Sequence, residues 1–304
     1  MTIKVTNDLM FKKLLASEEH KDILQGFIKD FCGLDVECSE IQIETPYSID
    51  LYKNSADNEK SGLRSTECDI AVELRNLNII VELQMYRDDH FFARTLHYMF
   101  ERFTSNYGVS GKMTGFRAGK PDKYSSLMPV YAVNIIDGKL FKSDNYAFRT
   151  FTLYDTLHNA GLDKDWIRLS FLELGKAHIN DSNQKHWHKF FTTGKASNEA
   201  PAYIKKAQDV TNIVNMSKEE RDMLTAHERY EAKRNSEYNT ALRTGIDQGL
   251  AQGIEQGIER GIEQGKEQGI DALAKLIMQG VPLDEAVERA KRTVETVQPF
   301  EDTN

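Results

Sequence analysis

Ile79-Ile-Val-Glu-Leu-Gln-Met85 sets two long polar side chains, Glu82 and Gln84, into an otherwise apolar strand. Upstream, Glu67-Cys-Asp-Ile-Ala-Val-Glu-Leu74 reads as a second strand, interrupted by Asp69. Charged groups are rarely buried in strands without a partner or a metal. The two runs fit a hairpin. With a two-residue loop at Asn76-Leu77, Asp69 would lie opposite Gln84 and Ala71 opposite Glu82. Directly opposed residues share a face of the sheet. Asp69, Glu82 and Gln84 would then converge on one patch, with Glu73 on the same side, while Ile70, Val72, Leu74, Val81 and Leu83 turn into a core. A slip of one residue would destroy the arrangement. Two carboxylates beside a neutral amide suit a hard cation such as Mg²⁺, which takes oxygen ligands and keeps several waters. A polar, solvent-facing side of an antiparallel hairpin fits the same residues.

Outward from the hairpin, the pattern predicts an α/β domain with a mixed sheet. Residues 7–31 read as a helix that Asn7 or Asp8 can cap, and 41–51 alternate like a strand. Residues 88–106 carry a helical stripe through Phe91, Phe92, Thr95, Leu96, Met99, Phe100 and Phe103, with Arg94 and Tyr98 on another face. Pro129 to Asp137 is a buried strand, and further strands are expected at 148–154 and 167–174. Residues 184–192 and 200–243 turn helical and charged. Three domains are expected: 1–180, a charged helical extension at 181–243, and a tail at 244–304.

The tail carries a repeat. Gly245, Gly249, Gly253, Gly257, Gly261, Gly265 and Gly269 recur every four residues, with Ile246, Leu250, Ile254, Ile258 and Ile262 in step. Glycine costs about 1 kcal/mol relative to alanine inside a helix. The segment is therefore either a flexible linker or a helix held by close packing against another, and the isoleucine row favours packing. Charges between the glycines argue against a membrane helix. The last segment, with Gly280 as a helix stop and Pro282 as a start, fits a small helix-turn-helix or a capping helical hairpin, and the second helix lacks the base-reading side chains of the former.

With 304 residues the chain has room for one sizeable domain and an appendage, or for two small domains. No apolar run approaches the length of a bilayer span. Cys32, Cys38 and Cys68 follow no metal-binding spacing and read as reduced thiols, so a cytoplasmic protein is expected. The net charge of −8 gives no global basic field, so any nucleic acid must bind at a local patch. Residues 112–123 supply one candidate, Lys112, Arg117, Lys120 and Lys123 against Asp122.

Asn7-Asp-Leu-Met-Phe-Lys-Lys-Leu-Leu15, Glu67-Cys-Asp69, Ile80-Val-Glu-Leu-Gln84, Arg94-Thr-Leu-His-Tyr98, Phe171-Leu-Glu-Leu-Gly-Lys176 and the glycine tail follow one another in order. The ordered set resembles the Rpn family of recombination-promoting nucleases and transposase-like proteins, within the PD-(D/E)XK nuclease superfamily. The resemblance implies a restriction-endonuclease-like αβββαβ core. It also implies a divalent-metal-dependent DNA endonuclease linked to recombination and mobile elements. Asp69 then matches a metal-binding aspartate, Glu82 the second acidic ligand, and the Leu83 carbonyl a third. Gln84 stands where the superfamily signature has lysine, and Cys68 where it has proline.

The expected activity is Mg²⁺-dependent hydrolysis of DNA, with Asp69, Glu82 and Gln84 catalytic and Asp69, Glu82 and Leu83 on the metal. Arg94 and Lys12 are candidate phosphate contacts, and the glycine tail is expected to join copies of the chain. Two rivals need no chemistry: an oligomeric interaction module on a nuclease fold, or a DNA-binding regulator using the C-terminal helices.

Overall fold

The computed structural model describes residues 4–44, 69–84, 90–117 and 119–295. Cys68, Met85, the polar insertion at 54–64 and the outer part of the 41–51 strand lie outside the described residues. The chain divides into two compact units, Met1–Glu228 and Arg229–Asn304, each described by itself.

The first unit opens with α1 (Asp8–Leu15) and α2 (Lys21–Cys32). The single helix expected over 7–31 is broken: Ser17 is extended at φ −86°, ψ 127°, before a short 3₁₀ turn. The apolar positions do not betray the break, because Leu15 and Ile23 on either side bury in one core. Asn7 caps α1, its side chain accepting from Leu9 N at 3.1 Å and Met10 N at 3.3 Å. α2 ends at Gly33, whose φ of +68° is the left-handed conformation that favours glycine.

Then come β1 (Gln42–Ile43), β2 (Ile70–Leu74), β3 (Leu77–Gln84) and α3 (Phe91–Thr104). A small ribbon follows, β4 (Phe116–Arg117) with β5 (Lys120–Pro121). The strands β6 (Val130–Ile136), β7 (Phe148–Thr152) and β10 (Ile167–Glu173) complete the sheet, and β8 (Tyr154–Asp155) with β9 (Ala160–Gly161) forms a second ribbon between them. The main sheet has the order β1-β2-β3-β6-β10-β7. β3, β6 and β10 run parallel, and the remaining neighbours are antiparallel, so the sheet is mixed as expected.

The hairpin register corrects the expected turn. Leu74 pairs with Leu77, so the loop is Arg75-Asn76 rather than Asn76-Leu77. Leu77 is only 9% exposed and belongs to the core, whereas Arg75 and Asn76 are exposed, so burial keeps Leu77 in the strand and leaves Arg75-Asn76 as the loop. Each strand shifts by one position, and the sum of paired numbers falls from 153 to 151 (Ile70 with Val81). The change is even, so every side chain keeps its face. Asp69, extending the ladder, now meets Glu82 rather than Gln84.

One face of the sheet packs Ile70, Val72, Ile79, Val81, Val133 and Leu172 against α1 and α2, with Leu83 partly buried at its edge. α4 (Ser182–Thr193) and α5 (Ala202–Thr211) close the same core through Trp187, Phe190, Phe191, Ile204 and Ala207. The core thus runs through the boundary expected at 180. Asp30 holds these helices together, accepting from Trp187 Nε1 at 2.8 Å and Tyr203 Oη at 2.7 Å. Gly26 permits this approach: a Cβ there would lie 2.4 Å from the Tyr203 ring. On the other face α3 covers Ile80, Val130 and Ala132 through Met99, and Phe91 meets Ile136 and Phe171.

In the second unit, helix α6 (Lys218–Met278), which begins in the first, carries the whole glycine repeat, and α7 (Leu283–Glu295) follows. The row Ile246, Leu250, Ile254, Ile258 and Ile262 is more than half exposed at every position. A Cβ added at Gly245, Gly249, Gly253, Gly257, Gly261 or Gly265 would meet open space. No helix among the described residues is long and apolar enough to cross a membrane.

Candidate active site

The end of the β2–β3 hairpin brings two carboxylates together. The Asp69 N–H donates to Glu82 Oε1 at 3.0 Å, and the Leu83 N–H donates to Asp69 Oδ2 at 2.8 Å. The N–H and C=O of one strand residue point to the same side. The Leu83 carbonyl therefore lies on the β2 side of β3 as well. Glu82 is 7% exposed and sits level with Asn134 on β6. Asn134 is itself fixed, donating to the Ser170 carbonyl at 3.1 Å and accepting from Thr95 Oγ1 at 3.4 Å.

Two elements supply cations. From α1, Lys12 Nζ lies 3.8 Å from Asp69 Oδ1 and 3.3 Å from Asp8 Oδ1. From α3, the Arg94 guanidinium donates to Gln84 Oε1. Gln84 ends β3, where its carbonyl accepts the Asp137 N–H at 2.9 Å. The structure thus gathers Asp69, Glu82, Leu83, Gln84, Arg94 and Lys12 at one corner of the sheet. Glu73 lies on the same face but at the other end of β2, where both its oxygens accept from Lys112 Nζ, at 2.6 and 2.7 Å.

Burial, then the charge of Asp69, pushes Glu82 up to about 8, against the pull of the Asp69 N–H, Arg94 and Lys12. Burial, then the charge of Asp8, pushes Asp69 up to about 6. Burial works against the charged form of Lys12, but Asp8 and Asp69 outweigh it and hold its pKa above the ordinary value. A buried carboxylate beside a half-buried one binds protons too well, and a cation between them relieves that condition.

Among the described residues no group of three or more His, Cys, Asp or Glu side chains forms a ready metal cage. The donor set here is smaller: two carboxylates with the Leu83 backbone beside them. That matches Mg²⁺, which is commonly held by one or two carboxylates with its other positions on water and phosphate.

Asp8 and Asn134 were not singled out in the sequence as site residues. Asp8 reads as a cap, and only when Asn7 takes that role does its carboxylate turn to Lys12. Asn134 was detectable as the one polar side chain inside the apolar run 130–136. Lys176, outside this corner, is buried against Glu173 at 2.8 Å and holds the chain after β10.

A mixed sheet flanked by helices, with an acidic pair at the end of a central hairpin, defines a nuclease-type α/β fold. The chain belongs to the PD-(D/E)XK nuclease family transposase group, whose family model matches residues 5–241. No curated protein and no solved structure matches the chain.

Proposed function

We propose that the protein is a divalent-metal-dependent DNA endonuclease acting in recombination or DNA mobility. The observation that carries the reading is the buried Glu82 beside the half-buried Asp69, whose backbone N–H donates to Glu82 Oε1 at 3.0 Å, with Lys12 and Arg94 flanking them. A merely solvent-facing hairpin has no reason to bury Glu82 beside another carboxylate.

Asp69, Glu82 and the Leu83 carbonyl are the groups that would hold Mg²⁺. Bound there, the ion would polarise the phosphodiester and lower the pKa of a water. Gln84 orients the attacking water through its amide. It lacks the charge of the lysine found in the superfamily signature, and Arg94, seated on its oxygen, restores that charge at the same place. Arg94 and Lys12 hold phosphate oxygens and balance charge that develops as the bond breaks. Asn134 and Thr95 keep the sheet beneath Glu82 fixed.

The tail supports a second part of the proposal, self-association. An exposed isoleucine row on a helix whose glycines face open space suits close packing against a copy of itself. Incubation of purified full-length protein with supercoiled DNA tests the nuclease reading. Nicked and linear products with Mg²⁺, abolished by chelation, are expected; intact DNA under both conditions would leave the fold without this chemistry.

A further inference from the structure

The ribbon between α3 and β6 contributes nothing to the reactions above, yet it is unusually built. Phe116 pairs with Pro121 and Arg117 with Lys120, and Gly119 turns the ribbon at φ +75°. Phe116 is 78% exposed. At its base Tyr107 and Tyr124, both exposed, cross edge to face with centroids 5.2 Å apart. Among the described residues, none of these rings joins a core cluster. Arg117, Lys120 and Lys123 are exposed beside them, and Asp122 turns inward to cap the Tyr124 N–H at 3.0 Å. Three aromatic faces and three cations therefore share one short surface segment of a chain whose net charge is −8.

Its base is attached to the sheet face that carries the acidic pair. Lys112 is the rivet, donating to Glu73 at 2.6 Å and to Asn106 at 2.9 Å. Glu73 stands on the same face of β2 as Asp69, four residues along. At about 3.3 Å per residue that is roughly 13 Å, or about four base steps of a duplex strand.

We propose that residues 107–124 bind an unpaired nucleic-acid strand leaving the cleavage site, bases stacking on Phe116, Tyr107 and Tyr124 and phosphates meeting Arg117, Lys120 and Lys123. The proposal rests on the nuclease reading and names its substrate class: DNA with a single-stranded segment beside the cut. Duplex bases already stack on one another, so a duplex would use only the cations. An acidic protein would likewise leave the ring faces unused. Stacking on exposed rings beside a positive groove is how single strands are held without sequence preference.

The test is binding of labelled single-stranded and blunt duplex oligonucleotides to full-length protein in chelator, where no cleavage occurs. Phe116→Ala with Tyr124→Ala should weaken single-strand binding about tenfold or more and leave duplex binding nearly unchanged. Arg117→Gln with Lys120→Gln should weaken both and flatten the salt dependence by about one log unit per charge. All four positions are exposed, and circular dichroism checks that each variant is folded. Wild-type single-strand affinity in the aromatic variant overturns the proposal, as does equal displacement of the strand by polyglutamate. Strand binding by a protein that never cuts would sink the nuclease reading alone, and cutting by a protein indifferent to Phe116 would sink this inference alone.

Discussion

The guanidinium of Arg94 sits on the side-chain oxygen of Gln84. One residue comes from the helix after the hairpin and the other from the end of β3. Together they place a positive charge and an amide beside Glu82 at the end of the hairpin. If they act as a unit, Gln84→Ala and Arg94→Met should each lower single-turnover DNA cleavage by about 10- to 100-fold, and the double variant should lose little more. Such non-additivity marks groups that act together. Fully multiplicative losses would mean that each works alone.

Glu82→Gln should raise thermal stability in metal-free buffer at neutral pH. Burial beside Asp69 holds the Glu82 pKa at about 8, so folding at neutral pH must protonate it, a cost that the amide avoids. For a domain of this size about 1 kcal/mol corresponds to about 2–4 °C, so a gain of a few degrees in Tm is expected by calorimetry. Added Mg²⁺ should stabilise the wild type and not the variant. A lower Tm for the variant, with or without metal, would show that Glu82 serves the fold rather than a cation.

Acid should release a different contact. Asp144 accepts from the Tyr146 N–H at 3.0 Å and from Arg149 at 2.6 Å. Those hydrogen bonds, the backbone one first, hold its pKa down to about 2 from the ordinary 3.8. A depressed carboxylate contributes stability above its unfolded value and loses it as pH falls through its folded value. Asp144→Asn should therefore melt below the wild type at pH 7, and the gap should close between about pH 4 and pH 2. A gap unchanged across that window would assign the loss to packing instead.

Removing residues 244–304 tests the tail. The expected product is a folded protein with the mass of a single chain by light scattering, from a full-length protein of higher mass. Ile254→Asp with Ile258→Asp should act in the same direction without truncation. If neither change alters the mass, the tail takes no part in assembly.

Much of this arrangement was legible before the coordinates. Strict alternation put Ile70, Val72, Leu74 and Val81 on the core side and Asp69 and Glu82 on the other, and parity kept that reading true when the turn moved by one residue. Periodicity could not choose between Asn76-Leu77 and Arg75-Asn76. That choice rests on burying Leu77, which depends on the helices packed over the hairpin. Nor could it see Ser17 break the first helix, because apolar residues on both sides enter the same core. The cations were the hardest to place. Lys12 and Arg94 could be named as candidates, but only the packing of α1 and α3 on the sheet brings them to Asp69 and Gln84. Asp8 escaped notice because a carboxylate one residue after an asparagine at a helix start reads equally well as a cap.

The central claim is that Asp69 and Glu82 hold the ion that hydrolysis requires. Single-turnover cleavage of supercoiled DNA by folded Asp69→Ala and Glu82→Ala proteins, across a Mg²⁺ titration beside the wild type, measures it most directly. The expected result is wild-type cutting that saturates with Mg²⁺ and no detectable cutting by either variant at any concentration. A variant that cuts at the wild-type rate, and loses that activity on chelation, would contradict the claim by placing the metal elsewhere.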